Sequence, residues 1–163
     1  LTDDNMSLPM VGFVVMTFGV TGALIQLIGG FLGDRFSKPR LISIFVILQS
    51  TGILVLATLH TPSMAFLFAV LYGAGLGGRI PLLTAIRGDY FGRANFATIL
   101  GVSQVPMNLV MMGAPVAAGY LFDTLGSYTI PFLGLALLNY VGAIFILGAR
   151  KPASPTPKRT QSP

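Results

Sequence analysis

The chain has 163 residues, of which 53% are hydrophobic and only 9% are charged, whereas a soluble domain carries about 25% charged residues. Ten Lys and Arg outnumber five acidic residues, all of them Asp, and the mean hydropathy is +0.80. These values exclude a soluble globular domain, a disordered chain and a coiled coil. Because there is no Cys and only one His, His60, we expect no disulfide and no Cys- or His-based metal site.

Five long apolar segments follow one another along the chain. A helix of about 20 apolar residues crosses a bilayer core of about 30 Å. The segments cover residues 8–32, 41–59, 62–86, 96–122 and 129–149. Their length predicts an all-α fold, a polytopic helical bundle with five transmembrane helices in one unit, 1–150.

The cations lie at alternate ends of these segments. They are Arg35, Lys38 and Arg40, then Arg87 and Arg93, then Arg150, Lys151, Lys158 and Arg159. Because Lys and Arg concentrate in cytoplasmic loops, we expect a plasma or inner membrane protein with its N-terminus outside and its C-terminus cytoplasmic. The same alternation excludes nucleic-acid binding, since the cations mark one membrane face. The tail, 151–163, is predicted to be disordered and basic, with a lipid-headgroup contact as the alternative.

Small residues recur at four-residue spacing within the spans. Such pairs let transmembrane helices approach closely. The pairs predicted to make helix contacts are Gly29/Gly33, Gly73/Gly77 and Gly113/Ala117. Polar residues in the middle of the second span, Gln49, Ser50 and Thr51, are interpreted as interhelical hydrogen-bonding groups.

The connection after the first span carries a motif. From Gly30 to Arg40 it reads G-F-L-G-D-R-F-S-K-P-R. It resembles the signature cytoplasmic loop of the major facilitator superfamily, G-x-x-x-D-R-x-G-R/K-R/K. The positions that match are Gly30, Asp34, Arg35 and Lys38, whereas Ser37 replaces Gly and Pro39 stands at the second basic position, one residue before Arg40.

Two further segments are similar to the oxalate/formate antiporter and monocarboxylate transporter branch of that superfamily. The connection 87–93 reads R-G-D-Y-F-G-R, and residues 118–123 read A-G-Y-L-F-D, followed by G-S-Y at 126–128. The resemblance extends over nearly the whole chain, short of the tail.

The resemblance implies a position within a larger fold. Superfamily members have two six-helix halves, each built from inverted three-helix repeats, and the signature loop follows the second helix of a half. Here it follows the first span, so the resemblance implies helices eight to twelve, a truncated C-terminal half whose partner is the missing N-terminal half.

The implied function is secondary transport of a small solute by rocking-bundle alternating access. The candidate solute is an organic anion such as a carboxylate, with proton coupling as one option. The lipid bilayer surrounds the helices. The alternative is a non-transporting scaffold or an inactive fragment. We expect no enzyme activity and no cofactor, since no nucleophile or metalloprotease motif occurs. No P-loop for ATP occurs either.

The same loop supplies the candidate gating residues. In the superfamily this loop holds helices together in one state of the transport cycle. The implied gating residues are Gly30, Asp34, Arg35, Lys38 and Arg40, with Asp89 and Arg93 as a second cytoplasmic latch. Alternatively, the cations only fix the topology.

Candidate substrate ligands lie within the spans. Arg79 is the charge inside a span, which costs about 2.5–3.5 kcal/mol at a helix centre and therefore marks a functional candidate. A guanidinium binds a carboxylate through two hydrogen bonds. The alternative is that Arg79 braces a neighbouring helix. Gln26, Gln104 and Asn108 are predicted to line a polar cavity or to bond between helices. Tyr72 is predicted to cap the cavity or to pack as an ordinary aromatic.

Overall fold

Five membrane-spanning helices make up the described part of the chain. A computed structural model describes residues 7–148, with side chains everywhere except at residues 93–95 and 125. The helices long and apolar enough to cross a membrane are α1 (Leu8–Arg35), α2 (Lys38–Ala57), α3 (Pro62–Gly92), α4 (Phe96–Thr124) and α5 (Thr129–Leu147). The predicted all-α membrane fold is confirmed. The predicted tail, 151–163, lies outside the described residues.

Proline and an extended cap residue start the first three helices. Ser7, Ser37 and Thr61 have extended backbone, and each helix that follows has Pro in its first turn. Proline fits there because the first amides of a helix have no intrahelical acceptor. Gly126 follows the end of α4 and has a left-handed φ of 65°. Its backbone N–H donates to the Phe122 carbonyl and so caps the helix.

The connection predicted between the third and fourth spans is mostly helical. Helical hydrogen bonding continues past Arg87 and Asp89, and the backbone leaves helical geometry only at Gly92, with φ 73° and ψ 170°. Charged residues can remain helical beyond the membrane core, because helical backbone needs no apolar surroundings. Gly92 therefore separates α3 from α4.

Close backbone approach joins α3 to both α1 and α2. On the α1 side, a Cβ added to Gly29 would lie 2.7 Å from the Gly78 carbonyl oxygen. On the α2 side, a Cβ on Gly75 would lie 2.6 Å from the Gln49 backbone nitrogen. Only glycine allows these distances. We call these two contacts the glycine seams; their glycines are Gly22, Gly29, Gly33, Gly52, Gly73, Gly75, Gly77 and Gly78.

Hydrogen bonds and an apolar cluster join α2 to α5. The Ser43 hydroxyl donates to the Ala143 carbonyl at 2.9 Å, and the hydroxyls of Thr51 and Tyr140 are 2.9 Å apart. The two helices are antiparallel, since the later α2 residue pairs with the earlier α5 residue. The buried cluster beside them consists of Leu41, Ile42, Phe45, Val46, Leu82 and Ala143.

Helix α4 buries no described side chain within residues 7–148. A Cβ on Gly113 would meet no atom within 4 Å. Of the three predicted small-residue pairs, Gly29/Gly33 and Gly73/Gly77 make helix contacts, and the prediction for Gly113/Ala117 is wrong within the described chain. Spacing along one helix cannot specify whether a partner helix is present.

The glycine seams generate a stability prediction. Gly77→Ala places a methyl group against the Gly22 backbone, so we expect a loss of about 1–3 kcal/mol from overpacking. Gly113→Ala is the matched control, with open space at its Cβ, and it should be neutral or gain up to about 1 kcal/mol of helix propensity. Thermal unfolding in detergent measures both. Equal midpoints for the two variants would contradict the close packing of α1 on α3.

Candidate functional site

An ion pair closes the end of the bundle that carries the signature-like loop. Lys38 Nζ lies 2.8 Å from Asp89 Oδ2, with side-chain exposures of 23% and 51%. Lys38 is the first residue of α2, and Asp89 lies near the end of α3. The pair therefore links the start of one helix to the end of the next. It is the salt bridge that the structure shows among the described side chains. We call this end of the bundle, with Asp34, Arg35, Lys38, Arg40 and Asp89, the charged end.

The other predicted gating residues at the charged end are more open. Asp34 and Arg40 are exposed, and neither has an ion-pair partner among the described side chains. The Arg35 guanidinium lies 4.6 Å above the Phe31 ring centroid as a cation–π contact. A Cβ on Gly30 would meet nothing within 4 Å.

The structure thus places a residue of the signature-like loop in contact with a residue of the predicted second latch. Lys38 comes from the signature-like loop and Asp89 from the predicted second latch. The side chain of Arg93 lies outside the described side chains. Gly33 stands at an unspecified position of the motif, yet it is the glycine that packs against Leu82 of α3.

A groove of about 230 Å³ runs between α1 and α3. Gln26 contributes a polar side chain to its wall, and every other lining residue is glycine or apolar. Three glycines of the α1–α3 seam, Gly22, Gly73 and Gly77, are among its lining residues. The lining residues are Phe18, Gly19, Gly22, Ala23, Gln26, Gly73, Leu76, Gly77 and Ile80.

Tyr72 lies in an aromatic cluster rather than in this groove. Its ring centroid is 5.7 Å from that of Phe18 and 5.3 Å from that of Phe68. It lines two apolar cavities of about 250 and 120 Å³. Its backbone also faces Gly52 across the α2–α3 seam.

Arg79 is partly buried on α3 and has no carboxylate partner among the described side chains. It follows Tyr72 by seven residues, which places both on one face of the helix, and it precedes Ile80, which lines the groove. An unpaired guanidinium in an apolar span is a group that can receive an anion.

Gln104 and Asn108 are exposed on α4. Neither lines the groove that contains Gln26, nor the cavities beside Tyr72. The groove and the two cavities described above therefore do not bring the five candidate substrate ligands together.

Sequence reasoning missed two features. The Lys38–Asp89 pair was detectable as opposite charges at one predicted membrane face, but the sequence offers no way to choose among several cations. The second feature is that Oε1 of Gln49, a residue expected to bond between helices, has no hydrogen-bond partner in the described structure, although the residue is only 4% exposed. Of its neighbours, Thr51 does bond to α5, whereas Ser50 bonds to its own helix at the Val46 carbonyl.

The five apolar helices define a polytopic membrane protein. The family model described as Major Facilitator Superfamily matches residues 1–163, and the chain belongs to this superfamily.

The chain is similar to several curated proteins. It is 27% identical to "Monocarboxylate transporter 12" of Xenopus laevis over 92% of this chain and 33% of that protein. It is 29% identical to "Monocarboxylate transporter 12-B" of Danio rerio over 78% of this chain and 28% of that protein. It is 25% identical to "Multi-drug resistance efflux pump PmrA homolog" of Lactococcus lactis subsp. lactis (strain IL1403), over 88% of this chain and 35% of that protein. The chain thus spans about a third of the length of these relatives. No solved structure shows a significant match.

The exposure of the ion pair generates a second prediction. Partly exposed pairs stabilise a fold by about 0–1 kcal/mol, so Lys38→Ala and Asp89→Asn should each shift the thermal unfolding midpoint only slightly. Thermal unfolding of both variants and of the double variant, in low and high salt, measures this coupling. A loss as large as that of Gly77→Ala would show instead that the pair holds the bundle together.

Proposed function

We propose that this chain is the part of a secondary transporter corresponding to helices eight to twelve, and that the transporter moves a small solute by alternating access. The missing N-terminal half completes the pathway, in a plasma or inner membrane. The charged end faces the cytoplasm, with the N-terminus of this chain outside. The observation that carries the proposal is the Lys38–Asp89 pair, at the end where the signature-like loop lies.

The energetics of this pair suit a latch that opens in each cycle. A contact worth about 0–1 kcal/mol can break and re-form without unfolding its helices. The glycine seams leave little room for α1 and α2 to shift on α3, so the three helices move as one body. This is the behaviour that a rocking bundle requires. The pair then opens by movement of its two side chains, and not by a shift of α2 against α3.

The exposed groups at the charged end are then available to the opposing half of the transporter. Asp34 and Arg40 are unpaired among the described side chains, and a carboxylate beside a cation forms strong charge-assisted hydrogen bonds. We propose Asp34, Arg35 and Arg40 as gating residues that contact the other half when the cytoplasmic side closes. Gly30 leaves room beside them, and Arg93 joins Asp89 in the second latch.

We propose a carboxylate as the solute and Arg79 as its ligand. Two of the relatives are named as monocarboxylate transporters, and Arg79 has no carboxylate partner among the described side chains. Gln26, Tyr72, Gln104 and Asn108 are proposed as further cavity-lining groups in the assembled transporter. The acids of α1–α5 lie near helix ends, at Asp34, Asp89 and Asp123, so a coupling proton within the membrane would use a group of the other half.

A lipophilic solute is the second candidate. The walls of the α1–α3 groove are apolar except for Gln26, and another relative is named as a multi-drug efflux pump. A non-transporting scaffold or inactive fragment is the alternative to both, and it predicts no solute movement by the complete protein.

Substitution of Arg79 separates these solutes. Removing one partner of a buried charged pair costs about 2–5 kcal/mol, so Arg79→Ala should reduce carboxylate uptake by at least about tenfold. Arg79→Lys keeps the charge but loses the two-point geometry and should recover only part of the uptake. Uptake of a radiolabelled monocarboxylate and efflux of a lipophilic dye are measured in the complete transporter. Unchanged uptake, at equal surface expression, means that Arg79 braces a helix.

Charge exchange tests the latch. Lys38→Glu should reduce transport through repulsion from Asp89, and combining it with Asp89→Lys should restore a substantial part of the rate. Arg40→Glu is the control at the same end, and Asp89→Lys should not rescue it. Failure of the exchanged pair to exceed the single Lys38→Glu variant would contradict a direct functional contact.

A further inference from the structure

A buried amide on α2 lacks the hydrogen-bond donor that its surroundings call for. Gln49 is only 4% exposed, and its Oε1 has no hydrogen-bond partner in the described structure. An unpaired amide oxygen inside an apolar span raises the free energy of the folded protein. The neighbouring polar residues of α2 do not supply the donor, because the Ser50 hydroxyl donates within its own helix and the Thr51 hydroxyl is engaged with α5.

Gln49 leaves α2 at the closest approach of α2 to α3. A Cβ on Gly75 would lie 2.6 Å from the Gln49 backbone nitrogen and 2.7 Å from its Cβ. Phe45 lies one turn closer to the charged end on α2, and its ring packs on Gly78, one turn past Gly75. The side chain of Gln49 therefore starts opposite a position at which α3 has no side chain of its own.

Arg79 lies one turn beyond Gly75 toward the charged end. α2 and α3 are antiparallel, since Gly52 meets Tyr72 whereas the earlier Gln49 meets the later Gly75. Helical side chains lean toward the N-terminus of their own helix. Gln49 therefore leans toward the charged end and Arg79 leans away from it, so the two side chains converge. The electrostatic interaction of Arg79 with Tyr72, two turns earlier in α3, agrees with this direction.

Both side chains border the junction of α2 and α3 with α5. Tyr72 shares the Arg79 face of α3, and Ile53 follows Gln49 by one turn on α2. Tyr72 and Ile53 both line the cavity of about 250 Å³ to which Phe132 of α5 also contributes. Arg79 and Gln49 are thus on the same side of the α2–α3 seam, away from the α1–α3 groove.

We propose that Gln49 is a positioning residue for Arg79: its Oε1 accepts a hydrogen bond from the Arg79 guanidinium across the α2–α3 seam, and an anion that binds Arg79 displaces it. The structure shows the released arrangement, with Oε1 unpaired. Because the seam fixes the two backbones, the exchange takes place by rotation of the long, flexible Arg79 side chain. Arg79 then braces α2 in one state and binds the anion in the other.

The exchange is favourable in both directions for a physical reason. A guanidinium in a span needs an acceptor, and the Gln49 amide supplies a neutral one between transport events. A carboxylate forms charge-assisted, two-point hydrogen bonds with the guanidinium, which are stronger than a bond to an amide oxygen. Gln49 therefore lowers the affinity for the anion without preventing its binding. The displacement rests on the proposed carboxylate transport, whereas the pairing does not.

Gln49→Glu tests the pairing without any transport. The new carboxylate forms an ion pair with Arg79 if the side chains meet, and is buried without a partner if they do not. In the complete transporter in detergent, Gln49→Glu should keep the thermal unfolding midpoint, but should lower it by several degrees when Arg79→Ala is already present. Ile53→Glu is the matched control, at 8% exposure and one turn further from Arg79, and it should lower the midpoint although Arg79 is present. An equal loss from Gln49→Glu in both backgrounds would overturn the pairing.

Gln49→Leu tests the displacement, because it removes the acceptor and nearly keeps the size of the side chain. The KM for uptake of a radiolabelled monocarboxylate should fall several-fold, which loss of a merely structural residue would not cause. An unchanged or higher KM, at equal surface expression, would overturn the displacement. If Arg79→Ala leaves uptake intact while the coupling of the unfolding midpoints persists, the proposed carboxylate function fails and the pairing stands.

Discussion

The contact of α3 with its two neighbours through glycine is the constraint on which the bundle depends. In lipid, helices gain little from burying apolar side chains, because the surrounding acyl chains are equally apolar. Packing and close approach must then hold the helices together. Here the side chains that would separate the backbones are absent, at Gly77 against Gly22 and at Gly75 against Phe45 and Gln49. The α2–α5 contact differs, because hydrogen bonds rather than glycines determine its register.

Two of the functional candidates lie on α3, the helix that both glycine seams hold. α3 carries Arg79 in its middle and Asp89 near its end, about three turns apart. A displacement of α3 by an anion at Arg79 would carry α2 with it, so Lys38 and Asp89 would move together. The backbone between these residues is helical throughout, with Pro81 inside this stretch. In the proposed cycle, binding at Arg79 therefore displaces the charged end as a whole.

The sequence predicted the all-α membrane fold and the packing role of two glycine pairs, because hydropathy and residue size are local properties. It did not predict that α3 continues to Gly92, since helical backbone persists beyond the apolar run that defines a span. It did not predict the pairing of Lys38 with Asp89, nor that Gln26 lines the α1–α3 groove without Gln104. These depend on how distant helices pack, which local patterns do not encode. The candidate ligands and gating residues themselves remain predictions.

The backbone of Gly92, with φ 73° and ψ 170°, lies in a region that is essentially closed to residues with a Cβ. The helices α1, α2 and α3, which the glycine seams hold together, are therefore joined to α4 through a backbone conformation that essentially only glycine adopts. A substitution there leaves every glycine seam intact but changes the direction in which the chain departs toward α4. A substitution at Gly92 would thus leave α1–α3 and α4 each correctly folded, but wrongly oriented relative to one another.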